Sequence, residues 1–173
     1  MALGAKTVVG IDISRRALLR AASRQETHRP FFVVADVRNI PLSDVSVDVV
    51  IAEALMTTFA DAWSRLSCLS EVHRILAPGG SLLMVDFAQN WHLDLYRERY
   101  LAGATLGGEL GDFEVRDDVT GSFLYSAHHY SERELTELVR EAGFHIENFR
   151  YKPATTWRRH QVYAMLLEGR KSK

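Results

Sequence analysis

Cysteine is almost absent from this chain. Cys68 stands alone among 173 residues, so no disulfide can close within it, which fits a reducing compartment. No window approaches the roughly 20 consecutive apolar residues that a membrane-spanning helix needs. The N-terminal Met-Ala-Leu-Gly-Ala-Lys has no basic stretch followed by a long apolar run, so no signal peptide is read there. Charge of one sign is not in excess either. The formal net charge is -1, which gives no global field to attract nucleic acid or an anionic membrane. Internal repeats and low-complexity tracts are lacking. These absences point to a soluble, cytoplasmic protein with neither nucleic acid nor a membrane as partner. The 47% hydrophobic and 25% charged residues are ordinary values for one globular unit.

What is present alternates between strand and helix patterns. Thr7 to Asp12, Phe31 to Asp36, Val47 to Ala52 and Ser81 to Phe87 are short apolar runs of the kind buried in parallel sheets. Ser14 is placed to cap a helix with Ala17, Leu18, Ala21 and Ala22 at helical spacing. Asp61 to Leu76 carries Leu66, Leu69, Val72 and Leu76 on one stripe, and Pro78-Gly79-Gly80 should break it sharply. Leu93 to Leu101 is a further helix candidate. Gly103, Gly107, Gly108 and Gly111 after it read as a loop, and Gly121 to Ser126 as a short extended piece. Ser131-Glu132-Arg133-Glu134 is a capping box, and Gly143 closes the helix it opens. Phe144 to Tyr151 and Gln161 to Glu168 should pair as an antiparallel hairpin across the connection Pro153 to Arg159. The pattern predicts an α/β fold with an open, mostly parallel sheet, whose ligands bind beyond the carboxyl ends of the strands.

Acids at those ends are candidate site residues. Asp12 could accept from both ribose hydroxyls of a nucleoside, or cap the following helix. Asp36 could accept from an adenine amine while the Val37 N–H donates to a ring nitrogen, or simply form a turn. Glu53 could line a pocket, or stand as a solvated loop acid. His128 or His129 could act as a general base, although packing is the stronger reading. Arg158 and Arg159, beside Trp157, could bind an anionic acceptor or belong to a solvated loop. Trp91, Tyr96 and Tyr100 could cover an aromatic acceptor or pack in the core. Cys68 reads as structural. No cluster shows metal-ligand spacing, and the glycines at 103–111 do not follow a strand and open a helix, as a phosphate-binding loop would.

Five segments together resemble the class I S-adenosylmethionine-dependent methyltransferases, particularly the type 11 group. They are VVGIDIS (Val8 to Ser14), VVADVRNIPL (Val33 to Leu42), VDVVIAEALMTTF (Val47 to Phe59), EVHRILAPGGSLLMVDF (Glu71 to Phe87) and YSERELTELVREAGF (Tyr130 to Phe144). The resemblance implies a Rossmann-like sheet with helices on both faces and a C-terminal antiparallel hairpin. It implies S-adenosylmethionine as cofactor and methyl transfer to a small-molecule acceptor. Asp12, with Ile13 beside it, would hold the ribose. Asp36 and Val37 would face the adenine, and Glu53 would line the methionine end. No catalytic residue is assigned and no metal is implied. Residues 1–173 would form one methyltransferase domain, with residues 88–129 as an acceptor-site insertion. The family's first strand, glycine-rich loop and next helix would be missing, the chain starting near the end of that helix at Ala2 to Lys6. The strands near Thr7 and Val47 would then have unpaired edges, which invite a second copy or a partner chain to complete the sheet. A non-catalytic module that docks on such a partner is the alternative, and a nicotinamide-dependent oxidoreductase on a related fold is a third reading.

Overall fold

The β-branched runs form the parallel strands of the computed structural model, which describes residues 4–24, 30–156 and 158–173. Strand β1 (Val9–Asp12) lies parallel to β2 (Phe31–Val34), with Gly10 opposite Phe32 and Asp12 opposite Val34. Helix α1 (Arg15–Ala22) follows β1, and the Ser14 hydroxyl caps it by accepting from the Ala17 N–H at 3.2 Å. Strand β3 (Val47–Glu53) runs parallel to β4 (Leu76–Phe87) through helix α2 (Ala62–Ile75), which Asp61 caps at the Ser64 N–H (2.8 Å). The other edge of β4 pairs antiparallel with β8 (Gln161–Lys171), and β8 with β7 (Phe144–Thr155), giving the order β3-β4-β8-β7. Between β4 and β7 come helix α3 (Asp94–Thr105), the antiparallel pair β5 (Asp112–Arg116) and β6 (Phe123–His128), and helix α4 (Glu132–Glu141). This is a mixed α/β fold with a C-terminal antiparallel hairpin, as the strand and helix periodicities predict.

Several boundaries differ from the sequence expectations for physical reasons. The helix ends at Ile75, ahead of Pro78-Gly79-Gly80, and the chain passes straight into β4 at Leu76, so these three residues lie within the strand, with a bulge between Val47 and Val49 of the partner strand. Gly79 takes φ +75, open to glycine, and a Cβ on Gly80 would press on the carbonyls of Ala77 and Asp48. Asp112 and Glu114, directly after the glycine loop, belong to strand β5. β7 runs on through Pro153 because it is an edge strand, where a missing donor is tolerated. Gly4 to Lys6 is not helical, while Ala2 lies outside the described residues. Among the described residues, β1 pairs only with β2 and β3 only with β4, so each has one open edge. No described helix is long and apolar enough to cross a membrane.

Two apolar clusters form. The larger one packs Leu69, Val72, Leu82, Met84, Leu135, Val139 and Leu167 between α2, α4 and the strands, with Cys68 buried among them. The smaller one is aromatic: Tyr96 and Tyr100 of α3 meet Phe113 of β5, with Trp91 against its side. Gly103, expected in a loop, lies inside α3 because the helix backbone there touches β5, and a Cβ on Gly103 would collide with the Asp112 carbonyl oxygen. Gly103→Ala should therefore destabilise the chain by about 1–3 kcal/mol in urea unfolding, through overpacking. A helix interior free of that contact would instead gain up to about 1 kcal/mol from the same change, and a gain would refute the α3–β5 contact.

Candidate functional site

Three expected acids lie at carboxyl ends of parallel strands. Asp12 is the last residue of β1, and its Oδ1 accepts from the Ser14 N–H at 2.7 Å. Ile13 beside it is 71% exposed. Asp36 follows β2 by two residues, and the Ala35 N–H bonds to the Asp12 carbonyl (3.2 Å), so the two acids sit on neighbouring chain ends. The Asp36 carboxylate is engaged by Arg38 through its backbone N–H and guanidinium at 2.6–3.1 Å, and these bonds hold its pKa below the usual carboxylate value. The same guanidinium reaches Ser64 Oγ at 3.0 Å and so ties the β2 end to the start of α2. Val37 packs against the larger core cluster. Glu53 ends β3, exposed, on the second sheet.

The turn after Glu53 is pinned from two sides. Ala54 adopts φ +49, a left-handed conformation uncommon outside glycine, and a short 3-10 turn at Met56–Thr58 follows. Buried Asp86 accepts from the N–H groups of Met56 (2.8 Å), Thr57 (3.2 Å) and Phe87 (2.8 Å). The Tyr130 hydroxyl donates to the Met56 carbonyl at 2.8 Å. Asp86 closes an apolar strand pattern in the sequence, so an acid one residue before the strand end was the available signal; its partners, 30 residues upstream, were not readable.

Desolvation pushes the Asp86 carboxyl up to about 6, against the three N–H groups, which lower it. A folded-state value above the unfolded one means that the folded state binds the proton more tightly. Its stabilising contribution is full below about pH 4 and is lost as pH rises through about 6. The stability of the native chain relative to Asp86→Asn should therefore fall by about 2–3 kcal/mol between pH 4 and pH 7. Chemical denaturation of both proteins across that range measures it, and a pH-independent difference would contradict the assignment.

His128 and His129 are both buried and are split between two environments. His128 places Nδ1 2.6 Å from Asp112 Oδ1 and Nε2 2.7 Å from Glu134 Oε1. Arg65, 3% exposed, meets Glu109, Glu134 (3.4 Å) and Asp112 (3.7 Å), and donates to the carbonyls of Phe59 and Ala60. Its guanidinium lies over the Tyr130 ring at 5.6 Å. Glu134 thus gives only its N–H to the capping box, at Ser131 Oγ, and turns its carboxylate to this network. Glu109, His128 and Glu134 present potential metal-ligand atoms within 4.8 Å of one another, but the Arg65 guanidinium already supplies positive charge against both glutamates. His129 sits in the aromatic cluster, where its Nδ1 is 2.7 Å from the Tyr100 hydroxyl. The Asn90 N–H donates to that hydroxyl, which leaves the hydroxyl proton for His129. Desolvation lowers His129 to about 3. Both histidines are committed to packing and hydrogen bonding rather than presented as a base. Tyr96 and Tyr100 are core residues, and the Cys68 thiol, pushed up to about 12 by burial, offers no thiolate.

The Arg158 and Arg159 of the sequence reading stand in the turn between β7 and β8. Phe87 pairs with Ala164, so this turn lies at the carboxyl end of β4. With Leu95, Arg99, Asp118 and His160 they line an open cleft of about 470 Å³. Trp157 lies outside the described residues.

In sequence and overall fold the chain is similar to known methyltransferases. A methyltransferase domain profile matches residues 1–84. The chain is 29% identical to the arsenite methyltransferase of Aquipseudomonas alcaligenes over 122 residues, which is 62% of this chain and 34% of that protein. It is 33% identical over 96 residues to the tRNA (carboxymethyluridine(34)-5-O)-methyltransferase of Macaca fascicularis, which is 56% of this chain and 14% of the other. The chain thus spans about a third or less of these two relatives. A solved S-adenosylmethionine-dependent methyltransferase structure from Methanosarcina mazei superposes with a TM-score of 0.89 at 33% identity, covering 96% of this chain and 82% of that one.

Proposed function

The chain belongs to the S-adenosylmethionine-dependent methyltransferases, and on that premise we propose that it moves a methyl group from S-adenosylmethionine to a small-molecule acceptor. The observation that carries this reading is the placement of Asp12, Asp36 and Glu53 at or just past the carboxyl ends of parallel strands, where α/β sheets take their ligands. The residues fit the cofactor. Asp12 spends one acceptor site on Ser14 and keeps others for two ribose hydroxyls. Exposed Ile13 offers apolar surface beside it. Asp36 would accept the adenine amine once Arg38 yields one of the four hydrogen bonds it makes to that carboxylate, and the Val37 N–H would donate to the ring. Glu53 lines the methionine end.

When bound, S-adenosylmethionine supplies an electrophilic methyl group that an acceptor lone pair takes in line as the carbon–sulfur bond breaks. The chain's own part is positioning. Asp86 and Tyr130 hold the turn at residues 54–58 rigid beside Glu53, so that groups there need not reorganise on the way to the transition state. Residues 88–129, which carry α3, β5 and β6, shape the acceptor side. No protein base is required for an acceptor that need not lose a proton, which agrees with the engaged state of both histidines. The open edges of β1 and β3 are the surface on which a second copy or a partner chain would add a strand.

Incubation of the chain with S-adenosylmethionine tritiated in the methyl group, against a panel of small hydroxyl-, amine- and acid-bearing molecules, tests the reading. Label in an acceptor and S-adenosylhomocysteine should appear in equal amounts. Label transfer no faster than in the protein-free control, across the panel, would count against it.

A further inference from the structure

We infer that the cleft between α3 and the β7–β8 turn binds an oxyanion carried by the methyl acceptor, a carboxylate or a phosphate. This inference rests on the methyltransferase reading and deepens it by naming the class of acceptor. Its basis is the gathering of charge. Arg99, Arg158 and Arg159 converge on one cleft against a single acid, Asp118, with His160 beside them, in a chain whose overall net charge is -1. Such local focusing of one sign is what attracts an anion.

Each of these side chains is held in place. Arg99 lies over the rings of Tyr96 (5.5 Å) and Phe113 (5.6 Å) and forms no salt bridge among the described residues. Stacking of this kind fixes a guanidinium while leaving its N–H edge free to donate. Arg158 is anchored by Asp118 (2.8 Å) and by the Arg116 carbonyl (2.6 Å), and its buried Nε has no acceptor among the described residues. Arg159 adopts φ +64, a left-handed conformation that costs on the order of 1 kcal/mol or more for a side chain of this size. The turn that imposes it is closed by Thr156, whose N–H reaches the His160 carbonyl and whose carbonyl accepts from Arg159. His160 in turn meets the Tyr96 hydroxyl at 3.3 Å. The cleft is thus built on a braced turn and a stacked helix.

Its position points to the acceptor rather than to the cofactor. The cofactor acids lie on β1, β2 and β3, while the β7–β8 turn is separated from β3 by β4 and β8. Glu53 pairs with Val85 and Val85 with Leu166, so the turn also lies more than five residues further along β8; at about 4.8 Å per strand across and about 3.3 Å per residue along, that is roughly 20 Å from Glu53. An acceptor whose reacting atom lies near the end of β3 and whose anionic group sits in the cleft would be an extended small molecule of that length. The volume of about 470 Å³ is in the range of small-molecule sites, and Leu95 adds an apolar wall.

The test uses the full chain and two probes, inorganic phosphate and acetate, each titrated at constant ionic strength while backbone amide resonances are followed. The amides of Leu95, Arg99, Asp118 and residues 158–160 should shift together and saturate. The tighter probe then says whether the acceptor carries a phosphate or a carboxylate. In the double variant Arg99→Gln, Arg159→Gln the dissociation constant should rise at least about tenfold, with resonances outside the cleft in their native positions to show that the fold is kept. Amides in the cleft that do not respond to either probe, or a folded double variant that binds as the native chain does, would overturn the inference. A parallel titration with S-adenosylhomocysteine separates the two readings. Its binding beside a silent cleft removes only the anion site, and a responsive cleft without it removes the acceptor role.

Discussion

Arg65→Ala is expected to lower the stability of the chain by about 2–4 kcal/mol, a drop in melting temperature on the order of 10 °C for a chain of this size. Arg65 is 3% exposed and, among the described residues, is the one arginine or lysine that Glu109, Asp112 and Glu134 share in the network around His128. Its removal leaves three carboxylates facing one histidine, and it also strips the Phe59 and Ala60 carbonyls of their donors. Removing one partner from a buried ion network typically costs about 3–5 kcal/mol, and the lower range applies here because Glu109 is 51% and Glu134 30% exposed, so water can solvate them. The network joins α2, α4, β6 and the loop before β5, so the variant should also loosen the β5–β6 pair. Glu147→Ala supplies the contrast. It breaks the exposed Arg170–Glu147 pair (2.8 Å), which water screens, so the loss should be far smaller than for Arg65→Ala. Thermal unfolding of the two variants side by side measures the difference, and equal losses would refute the special standing of Arg65.

Asp12→Ala is expected to weaken S-adenosylhomocysteine binding by about 100-fold or more. Two hydroxyls donating to a carboxylate contribute about 1.5–3 kcal/mol each, and both are lost at once. The same substitution removes the acceptor of the Ser14 N–H at the start of α1, so a stability change must be told apart from a binding change. Ser14→Ala makes that separation. It deletes the hydroxyl that caps Ala17, at a cost of about 1 kcal/mol in stability, and it leaves the carboxylate of Asp12 in place. A folded Asp12→Ala protein that binds S-adenosylhomocysteine as tightly as the native chain would remove Asp12 from the ribose site.

The parts of the fold governed by local chemistry were legible in the sequence. Ser14 and Ser131 cap the helices that their positions predict, Asp61 starts its helical pattern as the cap, and Gly143 closes α4 at φ +93. The acids Asp12, Asp36 and Glu53 could be placed at strand ends because the apolar runs before them set their heights. What depended on distant partners was not legible. Gly103 looks like a loop glycine until β5 is packed against α3. Glu134 looks like half of a capping box until His128 and Arg65 claim its carboxylate. His128 and His129 are adjacent in sequence, yet neighbours along an extended chain point to opposite sides, so one enters the charged network and the other the aromatic cluster. The basic cleft draws on residues 95, 99, 118 and 158–160, which no local pattern connects. Without these partners, Arg158 and Arg159 fit an anion site and a solvated loop equally well.

Calorimetric titration of the native chain with S-adenosylhomocysteine tests the central claim most directly. Saturable binding at one molecule per chain is the predicted result. No heat of binding from a folded, monodisperse chain would contradict the account.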